Sequence, residues 1–361
     1  MRLGAFVARP REQLLVGPNS HEPPDPAKVP RTRLQSTALA LVLSGSAAHG
    51  RTLAPVDLIQ RIEAGQGEFL LFALTPPRHD TDRERAQEIA TTTVARLRPI
   101  GLDGLILYDI DDESERNPAE RPFPFMPTLD PAHFLADHLG IWETPVVVYR
   151  AVAKYAPEDL REWLAAQDPA RLMTVLVGAA SSSAQARTSL RDAQALRREV
   201  NPNLASGGVA IPERHSRRED EHLRLLAKQD AGCRFFVTQV VYDLNAAKNL
   251  VSDYHYECQA RGIPHAPFVF TFSVCGSMKT LDFLRWLGVD VPRWIENDLK
   301  HAADPLAASY QQALITATEL MAYCRTLGVP FGINVESVSI RRVEIEAAVH
   351  LAYELRARLR R

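Results

Sequence analysis

The sequence predicts a single (β/α)8 barrel of parallel strands with an amino-terminal extension, and three observations lead there. Eight short apolar runs recur from residue 68 onward, helical stretches separate them, and no GxGxxG turn follows any of them. Alternation of strand and helix implies parallel pairing through crossover helices. A count of eight favours closure into a barrel over an open doubly wound sheet. The missing glycine fingerprint also removes the dinucleotide-binding form of that rival.

The runs are EFLLFAL (68–74), DGLILYDI (103–110), TPVVVYRAV (144–152), RLMTVLVGA (171–179), GGVAI (207–211), RFFVTQVVY (234–242), PFVFTFSV (267–274) and VPFGINVE (329–336). Residues 80–97, 219–232 and 245–262 between them have the amphipathic character of helices, and the last two close on Gly232 and Gly262, a common helix stop. The sixth run raises a question of its own. Phe235, Phe236 and Val237 suit a strand buried on both faces, but Thr238 and Gln239 then interrupt it. Gln239 is therefore either a satisfied core amide or a side chain aimed at a ligand.

Ahead of the barrel, assigned to residues 67–361, the chain changes character. Residues 1–36 include the proline-rich, polar stretch GPNSHEPPDPAKVPR (17–31), which predicts a poorly ordered arm. TALALVLSGSAA (37–48) has the look of a signal-peptide core preceded by Arg31 and Arg33. It is too short to span a bilayer and far from Met1 for a secretion signal, so residues 37–66 are predicted to be an accessory segment packed on the barrel.

Bulk properties narrow the function classes. The 361-residue chain is 46% apolar, enough for a large core, and its net charge of −2 comes from interspersed signs. No basic patch argues for nucleic acid, and no segment argues for a membrane. Cys233, Cys258, Cys275 and Cys324 are widely spaced, without a zinc pattern, which predicts reduced core thiols in a cytoplasmic protein and no metal site.

Active sites of this fold lie at the carboxyl ends of the strands. Polar residues there are Tyr108 and Asp109, Tyr149 and Arg150, Glu213 and His215, Gln239, Ser273, and Asn334 and Glu336. Asp109 and Glu336 each end an apolar strand, where desolvation raises a carboxyl pKa toward neutrality. The run Asp111, Asp112, Glu113 suits a solvated loop better, and Glu68 lies on the opposite rim.

Three motifs resemble the methylenetetrahydrofolate reductase family: Ile211-Pro212-Glu213-Arg214-His215, Lys228-Gln229-Asp230-Ala231-Gly232, and Thr238-Gln239 through Asp243. FALTPPRHD (72–80) is similar to the family's Phe-Glu-x-x-Pro-Pro segment. The resemblance implies reduction of 5,10-methylenetetrahydrofolate to 5-methyltetrahydrofolate by NAD(P)H, usually through FAD. It makes Gln239 the glutamine that hydrogen-bonds the pterin, whose paired donor and acceptor edge an amide matches. It makes Phe283 the nearest match to an aromatic that stacks on folate or nicotinamide. Tyr108 and Tyr149 are added as substrate contacts, and His215, Glu221 and Lys228 as cofactor contacts.

The departures matter as much. Ala73 stands where the family carries its catalytic glutamate, and Ala179 where it has an acidic residue near the flavin. Arg224 and Ala227 replace an Asn and an Arg, Glu221 replaces an Asp, and the stretch after His215 is shortened. One basic contact to a pyrophosphate then remains, so little FAD is expected. ERPFPFMPTLDPAHF (120–134) is closer to a flavin-independent actinobacterial branch, which also keeps the glutamate that Ala73 lacks. The chemistry still needs a proton donor, for which Glu336 and Asp109 are the candidates, Glu336 first. Alternatives are a folate-dependent one-carbon transferase or a non-catalytic folate-binding homologue, and an oligomer or partner subunit is left open.

Overall fold

Strand closure follows chain order without exception. A computed structural model describes residues 58–111, 117, 119–178 and 186–359. Its strands are β1 (Phe69–Leu74), β2 (Gly104–Leu107), β3 (Val146–Ala151), β4 (Leu172–Val177), β5 (Ser206–Ala210), β6 (Cys233–Val240), β7 (Phe268–Ser273) and β8 (Phe331–Glu336). Each pairs in parallel with its sequence neighbours, and β8 returns to β1. The predicted (β/α)8 barrel is the fold. The predicted arm, residues 37–57 of the accessory segment, Asp112, Glu113 and Ala179 lie outside the described residues.

The helices are α1 (Leu58–Glu63), α2 (Arg83–Leu97), α3 (Pro131–His138), α4 (Pro157–Ala165), α5 (Leu190–Val200), α6 (Pro212–Arg218), α7 (Glu221–Asp230), α8 (Leu244–Arg261), α9 (Met278–Trp286), α10 (Arg293–His301), α11 (Pro305–Leu327) and α12 (Arg342–Leu359). Local signals set their ends. The Asp243 carboxylate accepts from the Asn245 and Ala246 amides to open α8, and Gly262, at φ 65°, closes it in the left-handed region. None of these helices is long and apolar enough to cross a membrane.

Strand alternation makes two cores. Leu70, Phe72, Leu105, Val148, Phe236, Phe270 and Ile333 face the helical ring, in one cluster with α2, α8, α11 and α12. Phe69, Leu71, Ala73, Ile106, Val147, Met173, Val175, Phe235 and Val237 fill the lumen. The lumen has a floor. Leu58, Ile59 and Ile62 of α1 belong to the same cluster, and a Cβ on Gly104 at the start of β2 would sit 2.8 Å from Leu58 Cδ2. All four cysteines are buried and unpaired.

Packing inside the barrel dictates one glycine on β8. The Phe69 ring occupies the place that a Cβ at Gly332 would take. Gly332→Ala should therefore destabilise by about 1–3 kcal/mol, the cost of overpacking a filled core. Phe69→Leu in the same chain should recover part of that loss. Urea unfolding of both single variants and the double variant checks this, and strictly additive effects would refute the steric cause.

Candidate active site

Chemistry at the mouth begins with the sequence FGINVE. Its alternation places Gly332, Asn334 and Glu336 on one face of β8. Glu336 is the Cα partner of Ala73 on β1 and of Ser273 on β7, while Asn334 partners Leu71 and Thr271. Ala73 belongs to the lumen cluster, and laterally paired residues share a face, so Glu336 stands at the top of the lumen beside it.

A hydrogen-bonded chain supports that carboxyl. Tyr108 donates its hydroxyl to Glu336 Oε2 at 2.6 Å. Asn334 Nδ2 donates to the Tyr108 oxygen at 3.3 Å and to Thr271 Oγ1 at 3.2 Å. Tyr149 packs edge-on to Tyr108, with ring centroids 5.0 Å apart. Burial raises the Glu336 pKa to about 7, with the Tyr108 hydrogen bond pulling the other way. Burial, and behind it the neighbouring Glu336, lifts both phenols well above their usual range, so they stay neutral donors.

Asp109 is committed differently. It accepts from Lys154 Nζ at 2.5 Å, the Tyr155 hydroxyl at 2.8 Å and the Ala151 amide at 2.8 Å. The same Tyr155 hydroxyl lies 3.0 Å from Asp130 Oδ2, and Asp130 takes Arg150 Nη1 at 2.7 and 2.9 Å while capping α3. Asp109 thus pins the ends of β2 and β3 together, and Asp130 ties the start of α3 to β3. Lys154, Tyr155 and Asp130 escaped the sequence reading, although Asp130 before Pro131 is a recognisable cap signal.

Gln239 sits where β6 departs from regular pairing. Val237 partners Val269 and Val240 partners Thr271, so β6 spends one residue more than β7 over this stretch. An irregularity of this kind re-aims a side chain beside a site. Thr238 Oγ1 accepts the Thr271 amide at 3.0 Å, and Gln239 Nε2 donates to the Leu287 carbonyl at 2.8 Å, just past α9. Phe283 on α9 is half-buried against Phe123 (centroids 5.4 Å apart) and Trp286, with the Arg121 guanidinium 5.4 Å from its ring centre. The segment after β2 is fastened to α9 at this point, since Asn117 Nδ2 donates to the Trp286 carbonyl and Trp286 Nε1 to the Ala119 carbonyl.

The three residues named as cofactor contacts are engaged by the protein itself. Glu221 is fully buried, 2.9 Å from Arg214 Nη1, and accepts the Ile211 amide. Lys228 donates to the Val209 carbonyl and lies 3.9 Å from Glu221, and burial holds its ammonium below the usual range. His215 Nε2 lies 3.0 Å from Asp253 Oδ2 on α8. A carboxylate without exposed surface and a lysine spent on a strand carbonyl do not fit a flavin pyrophosphate. Glu213 is buried too, with its pKa raised to about 7 by burial and Oε2 without a partner among the described residues.

Fold and mouth together define a (β/α)8 protein with a carboxylic acid poised near neutrality at the carboxyl ends of its strands. The family model for methylenetetrahydrofolate reductase matches residues 180–332. A solved structure of an uncharacterized protein from Clostridium thermocellum, which binds two copies of 5-methyl-5,6,7,8-tetrahydrofolic acid, is 38% identical, with a TM-score of 0.73 over 83% of this chain and 99% of that one. Dihydropteroate synthase from Vibrio fischeri ES114 is far more distant, at 11% identity and a TM-score of 0.41 over 82% of this chain and 94% of that one. No curated protein matches. The chain belongs to the methylenetetrahydrofolate reductase family.

The raised carboxyl has a stability consequence with a definite sign. Between the unfolded value of about 4.3 and the folded value of about 7, the native state holds a proton on Glu336 that the unfolded chain has lost. Stability therefore falls as pH rises through this window. Glu336→Gln should flatten that fall and raise Tm at pH 8 relative to the parent. A pH series of thermal melts checks it, and parallel curves for the two proteins would show Glu336 to be ionised and paired in the fold.

Proposed function

We propose that this protein reduces 5,10-methylenetetrahydrofolate to 5-methyltetrahydrofolate with NAD(P)H, without a stably bound flavin, and that Glu336 is its general acid. The single observation that carries the reading is the Glu336 carboxyl, raised to about 7 and register-paired with Ala73. The family places its glutamate at the position of Ala73, so an acid from the neighbouring strand enters the space a missing side chain leaves.

The reaction opens the imidazolidine ring. One C–N bond breaks, the departing nitrogen takes a proton, and the resulting iminium carbon accepts a hydride that reduced nicotinamide supplies. Glu336 would give the proton from the oxygen that Tyr108 does not occupy. The Tyr108 bond to Oε2 holds the carboxyl in place and stabilises the carboxylate left behind. A donor with pKa near the working pH is both protonated often enough and acidic enough to act.

Folate placement would fall to Gln239, Phe283, Tyr108 and Tyr149. Gln239 already donates to a backbone carbonyl, and its own carbonyl oxygen is left to accept from a pterin. Phe283 offers the partly exposed ring of the mouth. The 5-methyltetrahydrofolate bound by the Clostridium thermocellum relative supports a folate site in this barrel. Asp109, saturated by three donors, is the weaker acid candidate.

NADH or NADPH oxidation dependent on 5,10-methylenetetrahydrofolate, measured with and without added FAD, tests the reading. Turnover is expected without FAD and should decline above about pH 7, where Glu336 ionises. Glu336→Gln should lower turnover by about 10²–10⁴-fold with folate affinity little changed. Gln239→Ala should instead weaken folate binding, by roughly 1–3 kcal/mol, through an unpaired pterin edge. If Glu336→Gln keeps full turnover, the acid is elsewhere. If only Ala73→Glu turns over, the protein is a folate binder that has lost its chemistry.

A further inference from the structure

Outside the barrel lumen, three helices bring two histidines and an aspartate to one point. His215 lies in α6, His222 opens α7 and Asp253 lies on α8. Glu219, at φ 55°, turns the chain sharply between α6 and α7 and so lays His222 against His215. The two rings meet at 90° with centroids 5.4 Å apart, and His215 Nε2 lies 3.0 Å from Asp253 Oδ2. One ligand atom from each of the three residues lies within 4.8 Å of the other two.

We infer that His215, His222 and Asp253 form a binding site for a divalent transition-metal ion of the zinc type. The His215–Asp253 contact alone would be an ordinary hydrogen bond, and it is His222 that exceeds it. Its Nδ1 is buried without a partner among the described residues, as is Nδ1 of the fully packed His215. Imidazole suits this class of ion, and two neutral imidazoles with one carboxylate are a common catalytic-type zinc set. Tetrahedral ligation with Zn–N of about 2.0–2.1 Å puts ligand atoms about 3.3 Å apart. The His–Asp pair is already near that spacing, and the His222 atom, within 4.8 Å of the other two, would move closer on binding.

There is room for a further ligand. A cavity of about 240 Å³ adjoins the cluster, lined by His215, Asp253, Ser216, Glu219, Asn249 and Ser252. Its lining side chains are polar, and it adjoins two of the three proposed ligands, His215 and Asp253, leaving space beside them for a water. The site stands independently of the folate reading, because none of its residues takes part in the chemistry proposed for Glu336.

Isothermal titration of tag-free, chelator-treated protein with Zn²⁺ tests the inference, with Co²⁺ absorption as a geometric readout. One ion per chain at micromolar affinity or tighter is expected, with a rise in Tm that EDTA reverses. Affinity should fall as the pH is lowered, because protons compete with the metal for its ligand atoms. His222→Gln and Asp253→Asn change side chains with exposed surface, and circular dichroism verifies their folding. Each should weaken Zn²⁺ binding more than tenfold and remove the tetrahedral Co²⁺ signal. No stoichiometric binding to the parent, or binding of equal strength in both variants, overturns the assignment.

Discussion

Pairing of β8 with β1 is the constraint on which the rest depends. Until that seam closes, the lumen is open, Phe69 has no Gly332 to pack over, and Glu336 has no Ala73 beside it. Closure joins residues more than two hundred and fifty positions apart in sequence, and the entropy lost in bringing the ends together must be offset by apolar burial on both faces of every strand. The same closure desolvates Glu336. A stabilising act and the tuning of a carboxyl are therefore one event.

Two carboxylates at the mouth show how environment divides similar side chains. Asp109 meets an ammonium, a phenol and an amide, and is fixed as an acceptor. Glu336 meets a phenol and an apolar lumen, and no cation lies among the causes that set its pKa. One becomes a clamp for β2 and β3, and the other keeps a proton available. The difference between the two carboxyls therefore lies in their neighbours more than in the strands they end.

How much of this was legible in the sequence varies with distance along the chain. Every strand was readable, because a strand buried on both faces writes itself as an unbroken apolar run. Gln239 stood out because it breaks such a run. The irregular pairing that aims it was hidden, since this depends on how Val237 and Val240 register against β7. Glu336 could be picked as a strand-end carboxyl, but its Tyr108 partner is 228 residues away and becomes adjacent only through closure. The family motif named His215 and Lys228 while giving no sign that Asp253 and Glu221 would engage them. His222 carried no signal either, being a histidine on an amphipathic helix whose meaning comes from a turn at Glu219.

The short helix under the barrel has an effect on timing. α1 packs into the apolar cluster that fills the lumen, and among the described residues the polar groups continuing from Glu336 run through Tyr108 and Asn334 to Thr271. If protons reach this carboxyl through the mouth, they share the opening that a pterin in the proposed site would cover. Once covered, the carboxyl would then keep whichever protonation state it had at that moment. Each cycle would begin with a fixed supply of one proton, replenished only after the mouth is clear again. A barrel with a wet floor would let proton exchange and ligand exchange run on separate clocks; exchange confined to the mouth would put both on one.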